Sequence, residues 1–101
     1  VTSTPTPDQG LYLDANFFNP TTSPGLGMDV RVDTAGEVKV VIFNIAGEEV
    51  EKLVDQQLNP GNYRFSWDGR NRNGEITGNA VYFIVVEQPS GNTIKKVIVL
   101  K

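Results

Sequence analysis

From Leu11 onward, short apolar runs alternate with turn-forming clusters, and the apolar side chains recur at every second residue rather than at every third or fourth. A period of two places alternate side chains on opposite faces of an extended strand, whereas a helix needs a stripe with a period near 3.6. No stretch keeps such a stripe for long. The chain must therefore bury its apolar surface by stacking strands, with helix a minor component at most.

The strands follow from this pattern. Leu11, Leu13 and Ala15 alternate with Tyr12, Asp14 and Asn16. This first strand stops at a loop over residues 17–25, where Pro20 and Pro24 oppose regular pairing. Met28, Val30 and Val32 alternate with Asp29, Arg31 and Asp33, which predicts a half-buried strand. Residues 37–45 leave few polar positions on either face, because Val38, Val40, Val41, Ile42, Phe43 and Ile45 all fall within them. Such a strand is expected to be central and covered on both sides for part of its length. Ala46-Gly47 signals a turn, and residues 48–54 read as a strand, a helical turn fitting nearly as well.

Asn59-Pro60-Gly61-Asn62 is a strong turn, since Pro presets φ and Gly accepts a positive one. After it, Tyr63, Phe65 and Trp67 share one face, with Arg64, Ser66 and Asp68 on the other, so the aromatics are expected in the core. A polar loop over 68–74 and the turn Thr77-Gly78-Asn79 precede an unbroken β-branched and aromatic run at 80–86, a second central strand. Residues 89–92 turn the chain into a last strand expected to run from Thr93 to Lys101. About seven strands, with turn signals roughly every 8–12 residues, predict an all-β, immunoglobulin- or fibronectin-III-like antiparallel β-sandwich. No internal repeat is apparent in the sequence.

A chain of 101 residues suits one such core. Residues 1–10, rich in Thr and Pro, read as a solvated linker, and residues 11–101 as the sandwich domain. No apolar run approaches the roughly 20 residues that span a bilayer, so membrane insertion is not expected. Residues 1–10 lack the basic and apolar regions of a signal peptide, which puts any export signal upstream on a parent protein. A net charge of −3 gives no cationic surface for nucleic acid.

The chain has neither Cys nor His, which removes thiolate nucleophiles, imidazole bases and the usual zinc and transition-metal ligands. Glu48, Glu49 and Glu51 lie beside turns or on a mixed-charge strand, where water keeps them ionised. No catalytic residue and no cofactor are expected. Asp68, Asn71 and Asn73 surround a Gly-bearing turn and are the weak candidates for calcium. Against that reading, the same side chains suit capping of backbone N–H groups, and Arg70 and Arg72 would repel a cation. Phe17 and Phe18 are the candidate exposed aromatics for a glycan, one of them expected to plug an end of the sandwich. Lys39 shares a face with Val41 and Phe43, which reads as a lysine snorkelling to water rather than an isopeptide donor.

Several segments in order carry a family resemblance: Asn19-Pro20-Thr21-Thr22; Val40 to Gly47 with Val50 and Leu53-Val54; Pro60-Gly61-Asn62-Tyr63; Trp67-Asp68-Gly69-Arg70; Asn73-Gly74; Val81-Tyr82-Phe83; and the Lys95-Lys96 strand. Together, over residues 19–101, the chain resembles the immunoglobulin-like domain of the flagellar hook-capping protein family and the related C-terminal sorting domains of type IX secretion cargo. The resemblance implies a non-catalytic sorting or anchoring module of a larger secreted or cell-surface bacterial protein. Its partner would be a protein, either secretion or attachment machinery. The alternatives are a structural module of a filament, hook cap or adhesin, and an accessory carbohydrate-binding domain. The expected partner-binding residues are Lys95, Lys96, Val97, Val99 and Lys101, read through an exposed edge by strand addition.

Overall fold

The computed structural model describes residues 10–101, so the expected linker, apart from Gly10, lies outside the described residues. Eight strands follow in order: β1 (Leu11–Leu13), β2 (Phe17–Phe18), β3 (Leu26–Val32), β4 (Gly36–Phe43), β5 (Glu49–Leu58), β6 (Gly61–Trp67), β7 (Ala80–Gln88) and β8 (Gly91–Val99). Two sheets form the sandwich, one of three strands ordered β1-β3-β6 and one of five ordered β2-β8-β7-β4-β5. Every pairing is antiparallel except that of β2 with β8, which is parallel and joins Phe17 to Ile98 and Phe18 to Val99. The expected seven strands thus become eight, because two residues of the Pro-containing loop pair with β8.

Alternation decides what is inside. On β3, Leu26, Met28, Val30 and Val32 are buried, while Asp29 and Arg31 face solvent. Val38, Val40 and Ile42 of β4, Tyr82, Ile84 and Val86 of β7, and Val97 and Val99 of β8 meet them from the five-stranded sheet. Each buried aliphatic side chain contributes about 1.5–3 kcal/mol by leaving water, and together they supply the main driving force.

Trp67 is fully buried at one end of this core. Its ring meets Phe18 and Tyr82 edge-on, at centroid distances of 5.6 Å in both cases. Its indole N–H donates to the Arg70 carbonyl at 3.0 Å, so its one polar atom is satisfied. Tyr82, near the start of β7, donates its hydroxyl to the Gly78 carbonyl at 2.9 Å, the tyrosine-corner arrangement of immunoglobulin-like domains. Tyr63 and Phe65 share the Trp67 face but are only half-buried, stacking on each other at 6.4 Å at the margin of the core.

Three expected boundaries shift. β1 ends at Leu13 rather than Asn16. β8 ends at Val99 rather than at Lys101, although the Leu100 N–H still donates to the Phe18 carbonyl. β5 is a strand of ten residues. Its register against β4 slips twice, between Val40 and Val41 and between Ile42 and Phe43.

Candidate functional site

The exposed chemistry gathers in two places. The first is an open cleft of about 640 Å³ between the turn after β4 and the loop joining β6 to β7. Two pentapeptides of the same pattern contribute to its lining, Asn44-Ile45-Ala46-Gly47-Glu48 through Asn44 and Glu48, and Asn71-Arg72-Asn73-Gly74-Glu75 through all but its glycine. Their internal bonding is the same. The Asn44 Oδ1 accepts the N–H groups of Ala46 and Glu48 at 3.0 and 2.9 Å, and its Nδ2 donates to the Glu48 carboxylate at 2.9 Å. The Asn71 Oδ1 accepts those of Asn73 and Glu75 at 2.9 and 3.0 Å, and its Nδ2 donates to Glu75 at 3.1 Å. Gly47 and Gly74 both take φ +84°, which only glycine adopts freely. This local repeat is absent from the sequence reading, although the shared Asn-x-x-Gly-Glu pattern is its signal.

The calcium candidates sit at this loop, and Asp68 and Asn71 each have a side-chain oxygen engaged. Asp68 Oδ1 accepts the Arg70 N–H at 3.0 Å, and Asn71 Oδ1 already serves two backbone donors. The Arg70 guanidinium donates to the Gly74 carbonyl at 2.7 Å, which holds a positive charge against the turn. Among the described residues, no group of three acidic side chains is placed to hold a metal ion. Arg72 pins the loop to the edge of β5, its N–H donating to the Val50 carbonyl at 2.9 Å and its guanidinium pairing with Glu49 at 2.7 Å.

The second place is the end of β8 with β2. Val97 and Val99 are fully buried, so their side chains belong to the core and not to a recognition surface. Lys96 and Lys101 are exposed and Lys95 is half-buried. The Lys101 N–H donates to the Asn79 side chain at 2.9 Å. The edge expected to accept an added strand is taken over its final residues by the chain's own β2, with the Ile98 N–H donating to the Asn16 carbonyl at 2.9 Å. Backbone pairing by an added strand is thereby blocked at Ile98 and Val99. Phe17 is 58% exposed on β2, whereas Phe18 points inward onto Trp67 and is the aromatic that plugs the sandwich.

Elsewhere the ion pairs are solvated. Arg64 bridges Asp14 and Asp29 on the outer face of the three-stranded sheet, and those hydrogen bonds push its pKa further up. Hydrogen bonding from Lys52 at 3.2 Å holds the Asp55 carboxyl below the usual range.

Residues 16–92, from the approach to β2 through the start of β8, match the FlgD Ig-like domain family. The chain belongs to this family. No curated protein matches the chain by sequence. Among solved structures, PorZ of Porphyromonas gingivalis, an essential bacterial surface component of the type-IX secretion system, superposes on 91% of the chain with a TM-score of 0.65 and 18% identity. FlgD of P. aeruginosa covers 71% with a TM-score of 0.53 and 19% identity. Dimeric latent PorU of P. gingivalis covers 89% with a TM-score of 0.60 and 24% identity. The chain spans 12%, 57% and 9% of those three chains respectively, so the FlgD-type sandwich recurs as one part of larger proteins. At these identities the likeness is one of fold.

Proposed function

We propose that this FlgD-type domain is a non-catalytic sorting or anchoring module of a larger secreted or cell-surface bacterial protein, recognised by a protein partner of the secretion or attachment machinery. The observation that carries the reading is the family membership, supported by a fold shared with a small portion of PorZ, a bacterial surface component. The chemistry agrees with it. The carboxylates of the cleft are spent on structure, Glu48 and Glu75 bonding to Asn44 and Asn71, and Glu49 to Arg72.

The recognition surface is the exposed end of β8, with Lys96 and Lys101 presented beside Phe17. Deleting residues 95–101 would strip Val97 and Val99 from the core and unfold the domain, so the test is Lys96→Glu with Lys101→Glu in the parent protein. The surface amount of the parent should fall several-fold while the domain keeps its thermal midpoint. Export at the original level would remove these lysines from recognition.

A second reading, a structural module of an assembly, is favoured by one observation: the outer face of the five-stranded sheet carries an apolar strip of Val41, Phe43, Phe83, Val85 and Ile94.

A further inference from the structure

Val81, Phe83 and Val85 of β7 alternate with the buried Tyr82, Ile84 and Val86, and so lie on the outer face of the five-stranded sheet. Val41 and Phe43 of β4 join them there, paired directly with Val85 and Phe83. Ile94 and Ile98 of β8 extend the face beside Val85 and Val81, and Phe17 of β2 closes it beside Ile98. Ile94 is 61% exposed and Phe17 58% at its margin, while Phe43, Val81, Phe83 and Val85 are half-buried and Val41 is covered by its neighbours at 4%. Strands apolar on both faces normally lie in sheets covered on both sides. Among the described residues, no element covers this one.

We infer that this face pairs with the same face of a second copy, the two sheets stacking around a two-fold axis that runs parallel to the strands between β4 and β7. The register carries the choice of occupant. One row across the sheet reads Glu49, Phe43, Phe83, Lys96. Rotation about that axis lays Phe43 of one copy over Phe83 of the other, twice. The row two residues along reads Lys52, Val41, Val85, Ile94, and the same rotation lays valine on valine and the aliphatic stem of Lys52 on Ile94. The next row reads Asp55, Lys39, Glu87, Asn92, and Lys39 then meets Glu87 of the other copy. A two-fold axis across the strands would set Lys39 on Phe43 and Glu87 on Phe83, burying charges against rings. Only the first orientation satisfies apolar and charged positions together, as an isologous interface requires.

The size of the face sets the strength. With strands about 4.8 Å apart and rows about 6.7 Å apart, four strands by three rows give a face of roughly 400 Å². Five of its twelve positions are apolar, and two such faces stay below the roughly 1,200 Å² of stable complexes. The dimer is therefore weak and concentration-dependent in isolation, and a parent protein held at a surface would favour it by raising effective concentration. This pairing borders the surface of the sorting reading at Lys96 and Phe17, and its test changes neither residue.

The test is sedimentation equilibrium of the 101-residue chain from about 10 μM to about 1 mM, a range that brackets weak association. The mean mass should rise from the monomer's 11.1 kDa toward twice that value. Phe83→Thr, which keeps a β-branched residue in β7, should abolish the rise. Lys39→Glu should weaken association at least tenfold, and Glu87→Lys added to it should restore association, since the pair is then reversed. Retained Trp67 fluorescence and thermal midpoint show that each variant is folded. A monomer at every concentration overturns the inference, as does association indifferent to Phe83→Thr or unrestored by the charge reversal. A monomer that binds another domain of the parent through this face overturns it too and assigns the face to that domain.

Discussion

The ring of Phe18 stands edge-on to the indole of Trp67, at a centroid distance of 5.6 Å and an interplanar angle of 64°. Phe18 belongs to the five-stranded sheet through β2 and Trp67 to the three-stranded sheet through β6, so this contact, with that of Trp67 and Tyr82, ties the sheets together at the end where β8 finishes. The two-residue strand β2 is held in place chiefly by it and by the pairing with Ile98 and Val99.

Phe18→Ala should accordingly cost about 3–5 kcal/mol of stability, the usual loss for emptying a buried aromatic site. Trp67→Ala should cost a similar amount, and the double variant less than their sum by about 0.5–1.5 kcal/mol, the coupling of an edge-on aromatic pair. Urea unfolding of the four chains measures this. Strict additivity would show that the rings do not interact.

Gly69 and Gly74 separate two reasons for needing glycine. Both have positive φ, +79° and +84°. A Cβ at Gly69 would lie 2.5 Å from Pro20 and 3.2 Å from Phe18, whereas one at Gly74 meets nothing within 4 Å. Gly74→Ala should cost only the backbone strain, about 1 kcal/mol. Gly69→Ala should cost at least about 1 kcal/mol more, because the Pro20 loop must move off the Trp67 turn. Equal melting temperatures for the two variants would contradict the close approach.

The twin turns predict a pH-dependent defect. Asn71→Asp keeps an acceptor for the Asn73 and Glu75 N–H groups but sets a second carboxylate where Nδ2 donates to Glu75. Like charges at that distance raise the carboxylate pKa values, so the variant should be less stable than the original chain at pH 7 and recover as the pH falls through the carboxylate range. Asn44→Asp should behave alike toward Glu48. The defect should be modest, on the order of 1 kcal/mol, since the turns are exposed. Thermal melting between about pH 4 and 8 follows it, and a defect that does not change with pH would rule out the carboxylate contact.

Where apolar residues alternate strictly, strand and burial were both legible in the sequence: β3, with Met28, Val30 and Val32 inward, is the clearest case. β5 was ambiguous for a physical reason. Its two register slips place Val50 and Leu53 out of phase with Val54, and the resulting spacing imitates a helical turn. β2 carries no pattern at all, because two residues cannot show a period, and only the parallel pairing with β8 makes Phe17 and Phe18 a strand. The apolar runs of β4 and β7 announced a sheet covered on both faces, and the structure supplies one of those covers. At the end of β8, sequence could propose Val97 and Val99 for recognition alongside Lys96. Burial in the assembled sandwich is what separates them.

Removing residues 11–101 from the parent protein, and following the truncated product by cell fractionation and peptide mass spectrometry, tests the sorting account most directly. The account predicts that the truncated parent accumulates inside the cell while the full-length protein reaches the surface or medium. Truncated protein reaching the surface in full amount would contradict it.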